Sequence, residues 1–169
     1  IKLIIYLYIS LNKGKYIFNI IKMTDLSKMT QDKMKAHNAK AFVITCMDFR
    51  LLKDAALHLV KRGYDVNYDQ FVLAGVSLGY LHKQNPQWGK AMIDHIKISK
   101  SLHHTKEIIL IDHLDCGAYK TFLPSLRKED EFKEHVKNLK EAEIALKKEF
   151  SDMTIKKWIL HLDGKLDEV

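Results

Sequence analysis

The chain has little cysteine: two residues among 169, Cys46 and Cys116, set far apart. A disulfide-stapled scaffold needs a much denser pattern, and a chain of this length buries a core without staples, so one domain of ordinary size is expected. No secretory pattern precedes the cysteines, which makes a reducing compartment, the cytoplasm, the expected location and leaves both thiols free for metal or catalysis. Long apolar runs are missing too. Residues 1–22 are apolar only in patches, broken by Asn12, Lys13, Gly14 and Lys15 well short of the ~20 apolar residues of a membrane span. The same stretch holds no acid and four lysines (Lys2, Lys13, Lys15 and Lys22), so it supplies more than half of the net charge of +7. The remaining charge is modest, and no segment interleaves basic residues with exposed aromatics. Neither nucleic acid nor a membrane is therefore expected as a partner. Without an initiating methionine or a small-residue cleavage site, residues 1–22 are expected to be an extension outside the domain, with Met23 as the start and 23–169 as one domain.

Several chemistries are excluded by missing motifs. There is no C-x-x-C redox pair and no G-x-x-x-x-G-K-[ST] phosphate loop, and Leu52 stands where a cysteine phosphatase would need its arginine. Gly75 to Gly79 superficially resembles a nucleophile elbow, but Ser77 reads as a loop serine. No repeat, low-complexity tract or linker is present.

From Ala41 onward, short β-branched runs alternate with helical segments, the pattern of an α/β domain with a mostly parallel central sheet of about four to five strands flanked by helices. Ala41 to Thr45 is a continuous apolar run suited to a strand buried on both faces. Leu52, Ala55, Ala56, Leu59 and Val60 then recur at helical spacing until Gly63. Asp69 to Gly75 predicts a second strand, followed by a loop over Leu78 to Pro86 and a helix carrying Trp88, Ala91, Met92, His95, Ile96 and Leu102. Glu107 to Asp112 predicts the third strand. A long helix follows with the apolar stripe Phe132, Val136, Leu139, Ala142, Leu146 and Phe150. Ile155 to Leu162 predicts the last strand, with a turn at Asp163-Gly164 leading into Lys165 to Val169 as a hairpin. Met23 to Lys40 is expected to form a short amphipathic helix.

Ligand sites in parallel sheets lie beyond the carboxyl ends of the strands. Cys46 follows the first strand and opens Cys46-Met47-Asp48-Phe49-Arg50, while His113 follows the third and opens His113-Leu114-Asp115-Cys116-Gly117. Two thiolates and an imidazole suit tetrahedral zinc, and three protein ligands leave a position open, as in catalytic rather than structural zinc sites. Asp48 and Arg50, two apart, can form a bidentate pair near the metal, either orienting a bound water or letting Asp48 close the site. As alternatives, the pair is a salt bridge capping the first helix. Asp115 is expected to face solvent, His103 and His104 to lie on the surface, His95 in the core, and His161 as a possible support to the site.

Cys46-x-Asp48-x-Arg50 followed by His113-x-x-Cys116-Gly117 resembles the zinc motifs C-x-D-x-R and H-x-x-C-G of the β-class carbonic anhydrases. The resemblance implies Zn2+ on Cys46, His113 and Cys116, a catalytic dyad of Asp48 and Arg50, and substrate contacts near Gly117, Ala74 and Gly75. It further implies reversible hydration of carbon dioxide by a zinc-bound hydroxide, and assembly into a homodimer or higher homo-oligomer. The sequence departs from the family pattern at Phe49, where serine is usual, at Val72-Leu73-Ala74-Gly75, where many relatives read Arg-Asn-Ala-Gly, and in a longer gap between the two motifs. These departures keep open a hydrolase of carbonyl sulfide or carbon disulfide, and a non-catalytic zinc-binding protein retaining the fold.

Overall fold

The computed structural model describes residues 6–12, 15–21, 37–65 and 67–169, and divides into two units at His37/Asn38. In the first unit, β1 (Tyr6–Asn12) and β2 (Lys15–Ile21) pair antiparallel, Tyr6 opposite Ile21 and Asn12 opposite Lys15. The sequence signalled no strands there, because their alternation is blurred by apolar residues at neighbouring positions. The helix expected over Met23 to Lys40, and the boundary expected at Met23, fall mostly outside the described residues.

The second unit holds a five-stranded sheet in the order β4-β3-β5-β6-β7. Its strands are β3 (Ala41–Thr45), β4 (Tyr68–Val72), β5 (Glu107–His113), β6 (Thr154–Leu160) and β7 (Leu166–Glu168). The first four in that order run parallel, and β7 turns back antiparallel on β6. Gly164, at φ 82°, takes the left-handed turn conformation that lets this hairpin close. The two central strands are buried on both faces, which is why they read as unbroken apolar runs. Phe42, Ile44, Ile108 and Leu110 face one core; Ala41, Val43, Ile109 and Ile111 face another.

Helix α1 (Leu52–Lys61) covers the second of these faces with Ala55 and Leu59, and ends before Gly63, again left-handed at φ 80°. The other face lies against α2 (Val76–Tyr80), α3 (Pro86–His103), α4 (Gly117–Phe122) and α5 (Glu131–Glu149). Pro86 opens α3, where its missing N–H costs nothing, and His104, left-handed at φ 53°, ends it.

Three local expectations need correction. The second strand stops at Val72, and Val76–Tyr80 is a short helix rather than loop. A Cβ on Gly79 would come within 2.3 Å of the Ala74 carbonyl oxygen, so this tight strand-to-helix turn depends on glycine. In α5 the inward residues of the first turns are His135 and Asn138, while Phe132 is exposed. His95 is not in the core either: it is exposed on α3, its ring 5.0 Å from that of Phe71.

Strand order fixes where a ligand can go. The chain leaves β3 for β4 on one side and returns to β5 on the other, so the sheet's switch point lies between the carboxyl ends of β3 and β5. Connections diverge there and leave a crevice.

Candidate metal centre

Cys46 directly follows β3, and His113 is the last residue of β5. Because Thr45 pairs with Ile111 in parallel register, the two side chains emerge side by side at the switch point. Cys116 enters from the turn between β5 and α4, where Asp115 adopts φ 59° and sends the chain back over the strand ends. One ligand atom from each of Cys46, His113 and Cys116 lies within 4.8 Å of the others, and this is the group with metal-binding geometry among the described residues.

The donor set fits a tetrahedral zinc ion. Sulfurs at ~2.3 Å from such an ion would stand about 3.8 Å apart, and the Sγ atoms of Cys46 and Cys116 are 4.0 Å apart. Both cysteines are free thiols. His113 Nδ1 donates to the Leu114 carbonyl at 2.9 Å, which fixes the tautomer and leaves Nε2 with its lone pair. That buried Nε2 has no hydrogen-bond partner among the described residues. A buried acceptor normally finds a partner, and a metal ion would supply one.

Each thiol, once ionised, disfavours ionisation of the other. Hydrogen bonding from Cys116 lowers the Cys46 pKa, against the desolvation that raises it, with help from the Gly75 and Asp48 N–H groups. The Cys116 thiol is pushed up, first by donating to Cys46 and then by burial. Ionising one thiol thus opposes ionising the other, and a cation would favour both thiolates.

Asp48 caps the short 3-10 helix Phe49–Leu51, accepting the Arg50 N–H at 3.1 Å. Its carboxylate also takes Arg50 Nε at 2.9 and 3.2 Å and Nη2 at 2.6 Å. The two readings of this pair therefore coexist: it caps a turn and is a bidentate ion pair. Those side-chain contacts hold the Asp48 pKa down to about 2, with Arg50 as the largest cause. Asp48 does not belong to the three-residue ligand group.

Arg50 does more than its spacing suggested. Its Nη1 donates to Asp115 Oδ2 at 2.9 Å and its Nη2 to the Asp115 carbonyl at 3.1 Å, so Asp115 does not simply face solvent. Lys120 pairs with the other Asp115 oxygen. One guanidinium thus ties the loop bearing Cys46 to the loop bearing Cys116. Sequence offered no cue for this contact, because it depends on how two distant turns meet.

A cavity of about 130 Å³ adjoins the centre. Cys46, Asp48 and His113 form one end of it, Leu51, Ala55 and Leu59 with Ile111 and Leu160 give it apolar walls, and Thr45 and Gln70 add polar groups.

Residues 36–169 match the family described as "Putative carbonic anhydrase". The chain belongs to this family. Two curated relatives are uncharacterized proteins: one of Rickettsia bellii, 31% identical over 84% of this chain and 89% of its own length, and one of Rickettsia conorii, 30% identical over 84% and 78%. Among solved structures, the fold is similar to the b-carbonic anhydrase CafA of Aspergillus fumigatus, with TM-score 0.56, 14% identity and coverage of 86% of this chain and 82% of that one. It is also similar to the tetrameric beta-carbonic anhydrases of Sordaria macrospora, with TM-score 0.50, 14% identity and coverage of 85% and 86%.

For a chain of the carbonic anhydrase family, the remaining expected site residues divide. Gly75 N–H faces the Cys46 sulfur at 3.5 Å, so it serves the ligand. Ala74 is half-buried in the turn behind it, and Gly117 is exposed at the start of α4 with open space at its Cα. His161 is engaged elsewhere, bonding Asp167 at 2.8 Å across the β6–β7 hairpin. His103 is paired with Asp69 at 2.7 Å, and His104 is exposed. Ser77, expected in a loop, is fully buried in α2 and bonded to Asp112.

Proposed function

We propose that this protein is a zinc-dependent carbonic anhydrase that interconverts carbon dioxide and bicarbonate. The observation that carries this reading is the convergence of Cys46, His113 and Cys116 at the switch point, beside a small apolar cavity. Bound there, zinc would act as a Lewis acid and bring the pKa of a coordinated water towards ~7, supplying a nucleophile at neutral pH.

The chain's own residues account for the rest. Cys46, His113 and Cys116 would hold the ion and leave one position open, since Asp48 is committed to Arg50 and is not part of the ligand group. At neutral pH the low pKa of Asp48 keeps it an acceptor only, suited to take a hydrogen bond from the attacking water and orient it. Leu51, Ala55, Leu59, Ile111 and Leu160 give an uncharged, apolar gas a dry place beside the nucleophile. Gly117 leaves open space where substrate can approach the backbone.

Met47, Phe49, Leu52 and Val72 are large apolar residues near the carboxyl ends of β3 and β4, between 50% and 81% exposed. Such a patch suits contact with a second copy of the chain, and homo-oligomerisation belongs to the same proposal. No described helix is long and apolar enough to cross a membrane, and the expected partner is a small molecule.

Metal analysis of the purified protein together with stopped-flow carbon dioxide hydration tests the reading. Near-stoichiometric zinc, hydration well above buffer background, and loss of both in Cys46→Ser are expected. Zinc with no hydration, but with sulfide released from carbonyl sulfide or carbon disulfide, would reassign the substrate. Zinc with neither activity would leave a binding protein.

A further inference from the structure

Asp112 lies on β5 one residue before His113, with 1% of its surface exposed. Its carboxylate accepts four hydrogen bonds. Ser77 N–H reaches Oδ1 at 3.0 Å, and Oδ2 takes Ser77 Oγ at 2.5 Å, Tyr119 Oη at 2.9 Å and His135 Nδ1 at 2.8 Å. Ser77, Tyr119 and His135 are each fully buried. A buried carboxylate is tolerated when its oxygens are satisfied in this way, and apolar side chains of the same volume would fill the space without that requirement.

The carboxylate and one donor sit on the segment that bears His113 and Cys116, and another donor sits beside the turn that meets Cys46. Ser77 is two residues beyond Gly75, whose N–H faces the Cys46 sulfur. Tyr119 is three residues beyond Cys116, and Asp112 adjoins His113. From α5 comes a second connection to the same centre. Glu131, one turn before His135, accepts the Cys116 N–H on Oε1 at 3.3 Å. His135 Nε2 lies 3.8 Å from that same oxygen and has no hydrogen-bond partner among the described residues. The Tyr119 and His135 rings lie against each other, tilted by 31° with centroids 3.7 Å apart, so the imidazole is clamped by contacts as well as by its bond to Asp112.

We propose that Asp112 and His135 are positioning residues for the metal centre, tying the segment that bears His113 and Cys116 to the turn whose Gly75 N–H faces Cys46, through one buried carboxylate and the first turns of α5. This rests on reading Cys46, His113 and Cys116 as the metal ligands. Neither residue touches a ligand atom, so their effect is on how well the donor set is held. Groups that orient metal ligands typically change metal affinity by about 10–100-fold when removed.

The test uses the full chain loaded with zinc, and with cobalt as a spectroscopic probe. His135→Leu and Asp112→Asn are expected to speed zinc release to a chelator by about 10–100-fold and to alter the cobalt absorption bands. His135→Asn keeps a donor facing Asp112 and should recover most of the wild-type rate. Ser99→Ala breaks a buried hydrogen bond to Thr105 at 2.6 Å, remote from the centre, and controls for destabilisation alone. The proposal is overturned if the His135 and Asp112 variants melt earlier, as Ser99→Ala does, yet release zinc at the wild-type rate with an unchanged cobalt spectrum. Should Asp112→Asn fail to fold, the two His135 variants and Tyr119→Phe decide by the same readouts. Wild-type protein that takes up no metal would overturn the ligand assignment itself, an outcome distinct from unchanged variants of a metal-loaded wild type.

Discussion

Arg50 Nη1 donates to Asp115 Oδ2 at 2.9 Å, joining two turns that lie 65 residues apart in the chain. Because the same guanidinium grips Asp48, the position of that carboxylate depends on the turn between His113 and Cys116. Asp115→Asn should therefore lower carbon dioxide hydration without loss of zinc, and Arg50→Gln, which removes the guanidinium and leaves Asp48 only the backbone N–H of residue 50, should lower it further. A misplaced orienting group costs up to about a hundredfold in rate. Stopped-flow rates normalised to zinc content make the comparison. Wild-type rates in both variants would show that Asp48 needs no such anchor.

Gly75 carries two constraints at once. Its φ of +70° is costly for any other residue, and an added Cβ would stand 3.0 Å from the Ala118 Cβ, next to the turn bearing Cys116. Gly75→Ala is expected to destabilise the fold by about 1–2 kcal/mol from the backbone alone. It should also weaken zinc retention, because the N–H facing Cys46 Sγ shifts with the turn. Urea unfolding and chelator competition report the two effects separately, and a neutral result in both would remove the role assigned to this turn.

How far the site was legible in the sequence follows from how local each contact is. Cys46 and His113 could be placed because one follows and the other ends a buried strand, whose continuous apolar runs stand out, and because parallel strands point their ends the same way. The Asp48–Arg50 pair was legible from its spacing of two. Asp115 was not, since its partner comes from another turn. Asp112 and His135 escaped for a different reason: each continues an apolar periodicity as a polar residue, Asp112 at the end of β5 and His135 four residues before Leu139. A hydropathy pattern gives such residues no weight, although a polar residue on a buried face already calls for a buried partner. The helix α2 was lost because it spans five residues of ambiguous pattern, with Gly75 before it and Gly79 within it.

The Asp48–Arg50 pair also gives the acid limb of stability a sign. Folding lowers the Asp48 pKa from an ordinary 3.8 to about 2, so the contribution is present above pH ~4 and is lost as pH falls through ~2. The stability difference between wild type and Asp48→Asn, both metal-free, should stay constant from neutral pH to about 4 and then shrink. Urea midpoints at closely spaced pH values measure it. A difference that persists unchanged at pH ~2 would mean the pair is not formed in solution.

The cavity beside the centre gives the substrate question a steric handle. Ala56 lines it from α1 yet is itself exposed, so Ala56→Leu can narrow the cavity with little cost to the core. Leucine is nearly as good a helix former as alanine, and stability should stay within about 0.5 kcal/mol of wild type. Carbon dioxide makes few polar contacts that could compensate for lost room, so kcat/KM for hydration should fall several-fold while zinc content holds. Carbonyl sulfide, with a larger sulfur at one end, should lose more than carbon dioxide if both enter the same cavity. Stopped-flow hydration and sulfide release on one preparation give the ratio directly. Equal retention of both activities would place the substrate outside this cavity, at the exposed side of Gly117.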